Sequence, residues 1–519
     1  MEFFNQPINF SRKKTVFSIL IIFFLLITIP LTTLLLPKQN TTIPTKAASS
    51  LPALPKNWPS GFQIGLADSP NGAAGMKAVA PFGFRYQYLA AGVNTGNGWA
   101  TWNANGDFAK FYIQDSVNNN IVPVFTYYMM YQSLPGGGTE ADADYNNINN
   151  TSTMTSYYND LKMLFQKAAL FPNNLVVVHI EPDLWGYLQQ KSANDDARTV
   201  PAQVATTGLP ELAGFPNTVA GFAQAIVKLR DTYAPNVDLA YHLSIWGTGT
   251  DIVYADPPDS TVQALATRSA IFYNSLGANF DLTFSEVSDR DAAFKQYQYG
   301  DGGAAWWDSG DYSRNILYLT TFVSQTNKRN VIWQIPEGNT KMRAENNTWE
   351  HYQDNHVENY LDPGRSYLNS YVNAGVIAFL FGRGADGPTC ACDAANDGVT
   401  NPAPINGNNL TSLNSDDDGG YLKQKVAAYY NAGVVSLLNG SITPPPPTPP
   451  PVNPPPPPVV PPPSTAQNKI GDLNHDGKVD IYDLSILLSQ WNQNGNGDLN
   501  GSGRVDIYDL SILLSKWGT

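Results

Sequence analysis

Eight short apolar runs, each followed by a segment long enough to hold a helix, recur between residues 61 and 440 and restrict what this chain can fold into. They are "FQIGLA" from 62, "FRYQYLAAG" from 84, "IVPVFTYYMM" from 121, "NLVVVHIEPD" from 174, "VDLAYHLSIWG" from 237, "FDLTFSEVSDRD" from 280, "NVIWQIPEGN" from 330 and "GVIAFLFGRG" from 375. Rich in Val, Ile, Phe and Tyr and nearly continuous in hydrophobicity, they suit parallel strands covered on both faces rather than strands with one wet side. The intervening "TSYYNDLKMLFQKAAL", "VAGFAQAIVKLRDTYA" and "QALATRSAIFYNSLG" have the apolar stripe of helices that pack on such a sheet. Eight strand–helix units predict an α/β fold, a (β/α)8 barrel with long loops, with a doubly wound open sheet as the alternative.

A barrel of this kind gathers its chemistry where strands end and the following loops begin. The polar residues cluster at those places. Asp68 follows the first strand, Tyr86 and Tyr88 lie on the second, and Tyr127 and Tyr128 close the third. His179, Glu181 and Asp183 end the fourth, and His242 and Trp246 the fifth. Glu286, Asp289 and Asp291 end the sixth, and Trp333, Gln334 and Glu337 the seventh. Carboxylates gathered with aromatic side chains suit glycoside cleavage, in which one acid protonates the departing oxygen and a second carboxylate attacks or activates water. Neither a Gly-x-Ser-x-Gly elbow nor a His-Glu-x-x-His helix is present, which weighs against ester or peptide hydrolysis by those routes.

With Glu181 ending strand four and Glu337 ending strand seven, the region is similar to the clan A retaining barrel glycoside hydrolases. That resemblance implies Glu181 as acid/base and Glu337 as nucleophile, with Glu286 as the third catalytic candidate. "VVVHIEPDLWGYL" also resembles the Ile-Glu-Pro-Asp-Ser-Leu strand of family six cellulases, whose chemistry is inverting and uses aspartates. Asp183, His179, His242, Trp246, Asp289, Trp333, Gln334 and Tyr127 are the expected substrate-binding residues. Duller roles stay open: Glu181 as a buried acid paired to Arg85, Asp289 and Asp291 as helix caps, the histidines as hydrogen-bonded core. Among aromatic residues Trp246, Trp306 and Trp307 are the best candidates for stacking on sugar rings, because loop-like sequence surrounds them.

The end of the chain carries one short unit twice, "GDLNHDGKVDIYDLSILLSQW" from 471 and "GDLNGSGRVDIYDLSILLSKW" from 497. Asp472, Asn474, Asp476, the Lys478 carbonyl, Asp480 and Asp483 take positions one, three, five, seven, nine and twelve of a calcium loop, with Gly477 at the turn. Asp498, Asn500, Ser502, the Arg504 carbonyl, Asp506 and Asp509 repeat the pattern around Gly503. The duplicated half EF-hand resembles a type I dockerin. That implies a small all-α domain binding two Ca2+ ions and a cohesin domain of a scaffold or surface protein as its partner. Loop positions ten and eleven, which help to choose the cohesin in that family, are Ile481-Tyr482 and Ile507-Tyr508 here. The segment is short, has no cysteine and can bury little surface, so its folding is expected to need calcium.

Several boundaries follow. Residues 1–14 form a basic-ended, cytoplasmic N-terminus; the apolar stretch 15–36 is a transmembrane anchor or a signal peptide; 37–60 is a linker; 61–440 is the hydrolase-like barrel. Residues 441–468 are a proline-rich linker, whose "PPPPTPPPVNPPPPPVVPPP" between Thr443 and Ser464 suits an extended rod of roughly 60 Å at about 3.1 Å per residue, and 469–519 is the dockerin-like domain. The chain is therefore expected to be exported, extracellular, and either anchored or secreted. A formal charge of −13 argues against nucleic acid as a partner. Cys390 and Cys392, the only two cysteines, stay open as free or bridged, and the acidic loops near 393–397 and 414–420 suit turns at least as well as calcium. Three functions remain: a dockerin-bearing enzyme that hydrolyses glycosidic bonds in a polysaccharide, a non-catalytic carbohydrate-binding or adhesion protein, and a hydrolase of some other linkage.

Overall fold

In a computed structural model the described residues are 51–287, 290–340, 353–382, 421–437, 497–517 and scattered positions between 470 and 495. Eight strands form a closed parallel barrel in chain order: β1 (Gln63–Ala67), β2 (Phe84–Leu89), β3 (Val122–Tyr127), β4 (Val176–Ile180), β5 (Val237–Leu243), β6 (Leu282–Glu286), β7 (Asn330–Ile335) and β8 (Val376–Phe381). Each lies within one of the eight apolar runs. β1 closes the barrel on β8, with Gln63, Ile64, Gly65 and Leu66 opposite Ala378, Phe379, Leu380 and Phe381. That closure removes the two free edges an open sheet would have.

Every residue of β4, β5, β7 and β8 is buried, as strands covered on both faces require. The outer cover is made by helices such as Thr151–Ala168, Val219–Tyr233, Asp259–Ser275 and Ser309–Thr326. Their starts are set by local chemistry. The Asn150 side chain accepts the Thr153 amide, Thr218 accepts that of Gly221, and Asp308 and Asp311 form a capping box. Met154, Tyr157, Tyr158, Leu161, Leu164, Phe165 and Ala168 give the first of these a stripe of buried residues at helical spacing, turned to the sheet.

Residues 51–60, expected as the end of a loose linker, are packed instead. Trp58 is buried with its ring 4.9 Å from that of Phe84, and the Pro52 carbonyl accepts from Arg329 Nε at 2.7 Å. Residues 1–50, including the apolar stretch 15–36, lie outside the described residues, as does the proline-rich linker. None of the described helices is long and apolar enough to cross a membrane. The chain divides into two compact units, Met1–Pro445 and Pro446–Thr519. In the second, Leu473, Val479 and Leu487 of the first repeat and Val505 and Leu513 of the second share a small core.

At the N-terminal end of β5, the Asp238 carboxyl is buried and pushed up to about 8, by burial first and by Asp281 next, with Arg230 and Lys56 opposing. The folded state therefore holds this proton across a range in which the unfolded chain, at the ordinary 3.8, has lost it. Stability contributed here falls as pH rises from about 4 to about 8. Asp238→Asn is expected to flatten that fall and to raise the melting temperature at pH 8 by a few degrees, read by thermal unfolding across the pH range.

Candidate active site

Alternation along the strands turns every second side chain inward, and the inward set is unusually polar and aromatic toward the C-terminal mouth. The Trp333 ring sits 6.0 Å from Tyr86, 5.7 Å from Tyr88, 4.8 Å from His179 and 5.9 Å from His242, centroid to centroid. Phe284 stacks on His179 at 4.5 Å. Below the mouth, Thr126 Oγ1 lies 3.3 Å from His179 Nδ1, and His179 Nε2 lies 2.9 Å from His242 Nδ1. Burial holds His242 down to about 3, and burial with the neighbouring His242 holds His179 well below its usual range, so both rings are neutral.

Above this column three strand ends meet. Asp183, His242 and Glu286, from the ends of β4, β5 and β6, each present a ligand atom within 4.8 Å of the other two. Both carboxylates are partly accessible, while the imidazole is fully buried. Trp246 Nε1 donates to Glu286 Oε1 at 3.3 Å, and the Trp246 ring lies 4.9 Å from that of Tyr187. Gly186 makes room for this pair, since a Cβ there would stand 2.8 Å from Trp246 Cη2. Also at this end of the barrel the Tyr128 hydroxyl donates to Glu140, and Tyr88 donates to Gln334 Oε1 at 2.8 Å. Glu140, Asp183, Asp144 and Glu286 all act, after burial, to raise the Tyr187 hydroxyl. The mouth is thus rich in acids and in aromatic rings.

Glu181 is placed differently from the parity of its strand. Two residues beyond inward-facing His179 it should point inward as well, but its φ is 47°, in the left-handed region. The carboxyl turns outward, toward Tyr157 on the outer helix, and accepts the amides of Met129 and Met130 at 3.2 Å. It is fully buried, and burial, outweighing these hydrogen bonds, pushes it up to about 8. Arg85, its candidate partner, pairs instead with Asp68 at 2.9 Å and Asp115 at 2.5 Å. Asp183, also left-handed with φ 67°, takes the mouth position that Glu181 leaves.

The remaining expected residues divide. His179, Trp333 and Gln334 line the barrel, Gln334 through an irregular pairing of β7 with β8 and a φ of 55°. Tyr127 faces outward, its hydroxyl 2.7 Å from Asp160 and its ring against Tyr157. Glu337 is buried beyond β7, outside the Asp183–His242–Glu286 group. Asp289 lies outside the described residues, as do Cys390, Cys392 and the acidic loops. Asp291 is buried, 3.4 Å from the Gly338 amide, and makes no side-chain cap for the helix it precedes. Trp307, expected as a ring face for sugar, is core: it is 3% exposed, packed on Tyr312 and His356. Trp306 is partly buried and donates to Gln296 Oε1 at 2.7 Å. Tyr187 and Glu140 were not anticipated. Tyr187 stands one helical turn after Asp183 and could have been found from that i, i+4 spacing; nothing in the sequence near Glu140 ties it to the strand ends.

In the second loop of the C-terminal unit the Asp498 carboxylate accepts the amides of Ser502 at 2.9 Å and Gly503 at 2.7 Å, around a left-handed Gly503. Asp509 is fully buried and accepts the amides of Asn500 at 3.0 Å and Asp506 at 2.8 Å. A buried carboxylate facing a loop of oxygen donors fits calcium. In the first loop Asp483 is equally buried and accepts the Leu473 amide at 2.6 Å, whereas Asp472, Asn474, Asp476, Lys478 and Asp480 lie outside the described residues.

Residues 470–516 match the dockerin type I domain. No curated protein matches the chain. Among solved structures it is similar to an endo-β-1,4-mannanase double mutant of Cellulomonas fimi, with 10% identity over 64% of this chain and 67% of that one and a TM-score of 0.38. It is also similar to a xyloglucan-specific β-1,4-glucanase from a ruminal metagenomic library, with 12% identity over 72% and 89% and a TM-score of 0.39. A GH6 enzyme of an Orpinomyces species gives 14% over 67% and 85%, with a TM-score of 0.28. TM-scores this low leave the barrel's function to its own geometry.

In the dockerin unit, Asp509→Ala is expected to weaken calcium binding at the second loop at least tenfold and to reduce the helical signal of Ile507–Ser515, as checked by calorimetric titration and circular dichroism of the full chain before and after chelation.

Proposed function

We propose that the barrel hydrolyses glycosidic bonds in a polysaccharide, with Asp183 and Glu286 as its working carboxylates. The observation that carries this is their convergence within 4.8 Å at the C-terminal mouth, beside the Tyr187–Trp246 ring pair. Inverting glycosidases hold their carboxyl groups about 6.5–9.5 Å apart to admit a water, whereas retaining ones bring them to about 5–5.5 Å. The closer approach here favours a retaining course. Glu286, with one oxygen held by the Trp246 N–H, is assigned the nucleophile, and Asp183 the acid that protonates the leaving oxygen and then activates water. The Tyr187 and Trp246 faces, with Tyr88 and Tyr128 at the same end of the barrel, would receive sugar rings. Glu181 is assigned a positioning role: through the Met129 and Met130 amides it holds the turn that carries Tyr128.

The dockerin unit is assigned two calcium ions, one per loop, and a cohesin as its partner. The exposed Ile507 and Tyr508 give the second repeat an apolar contact where the family often has hydroxyl groups. The stretch 15–36 is assigned to export, as an anchor or a removed leader, so that the enzyme acts outside the cell while held to a cohesin-bearing surface.

Glu286→Gln and Asp183→Asn are each expected to lower reducing-sugar release from a polysaccharide panel by about a thousandfold with the fold retained, while Glu181→Gln stays within about tenfold of the parent. Collapse of activity in Glu181→Gln with little effect in the other two would reverse the assignment. Saturable polysaccharide binding with no release of reducing ends would leave the adhesion reading in its place.

A further inference from the structure

The mouth carries a feature that acid–base work does not use. His242 is fully buried, and its Nε2 has no hydrogen-bond partner, although the Nδ1 edge of the same ring is held by His179 at 2.9 Å. A buried ring nitrogen left without a partner is destabilising, and here it belongs to the ring that stands with the Asp183 and Glu286 carboxylates within 4.8 Å. With Nδ1 engaged, Nε2 is the atom left for those carboxylates or for something held between them.

We infer that Asp183, His242 Nε2 and Glu286 form a site for a borderline divalent cation of the zinc class, and that filling it silences the carboxylate pair. The identity of the donors sets the class. Two carboxylate oxygens and one neutral imidazole suit Zn2+, Co2+ or Mn2+, whereas Ca2+ and Mg2+ prefer oxygen alone. The chain behind the imidazole is the one a ligating histidine needs. If His242 Nδ1–H donates to His179 Nε2, and His179 Nδ1–H donates to Thr126 Oγ1, then His242 Nε2 is a lone pair directed to the cation. Three protein ligands leave a fourth position for water. Bound carboxylates cannot keep a proton, so a cation at this place takes away the acid that glycoside cleavage requires.

The silencing half rests on the proposed hydrolysis; the binding half does not. The test uses the full chain, stripped of transition metal and then saturated with Ca2+ so that the dockerin loops are filled. Co2+ is titrated in as a spectroscopic probe and displaced with Zn2+. The expected result is visible cobalt absorption saturating at one equivalent, weakened at least tenfold by His242→Gln and, independently, by Asp183→Asn, which leaves the barrel interior intact. Zn2+ should suppress reducing-sugar release along the same binding curve. Absent cobalt bands, or bands unchanged in both variants, overturn the site; hydrolysis that rises with Zn2+ overturns the silencing. A parent protein that binds cobalt as expected but cleaves no polysaccharide supports the site while removing the hydrolase reading.

Discussion

Pairing of β1 with β8 is the contact on which the rest depends. Only when the eighth strand returns to the first do strand ends far apart in the chain face one another around a common hollow. Trp333 of β7 then meets Tyr86 and Tyr88 of β2 and His179 of β4, which closes a far wall around Asp183, His242 and Glu286 on the adjoining β4, β5 and β6. Closure also sets the cost of the site. Side chains that point inward near the mouth lose water, and the two histidines, Thr126 and Trp333 fill space that a barrel of minimal function would give to aliphatic residues. The close fit there is seen at Gly382, just after β8, where an added Cβ would stand 1.5 Å from the Tyr86 hydroxyl oxygen.

The electrostatics of the mouth follow from that burial. Carboxylates from the end of β4, from the end of β6 and from the helix that begins at Glu140 share one low-dielectric region. Their mutual repulsion is lessened by partial exposure, by N–H donors such as Trp246 and by the protonation of Glu181. An arrangement of this kind is poised: it can hold a proton between carboxylates or a cation in its place, and both uses draw on the same crowding.

Much of the architecture was legible in the chain. All eight apolar runs contain strands because two-sided burial leaves a simple mark, and the calcium loops are legible because ligand spacing is fixed by the ion. The site was legible only in outline. Strand parity aims Glu181 at the mouth, and parity fails there because one residue adopts a left-handed backbone, a local choice with no compositional sign when that residue is glutamate rather than glycine. The same holds for Gln334, where irregular pairing of β7 with β8 resets which side chain faces inward. Tyr127 was misplaced by one position, since its neighbour Tyr128 has the inward parity. Trp307 reads as a loop residue because its sequence neighbours conceal the ring cluster of Tyr312 and His356 that surrounds it.

The grip of Glu181 on the turn after β3 is exerted wholly on main-chain amides, those of Met129 and Met130. Such an anchor does not itself depend on which side chains those residues carry. Within the stretch from Tyr128 to Leu134 the demand comes from burial instead: Met129, Met130 and Ser133 are core, while the exposed Tyr131 and Leu134 are the positions where a side chain can change as the path stays put. A rim fastened by its main chain can thus be relettered at its outer positions without rebuilding the scaffold beneath it.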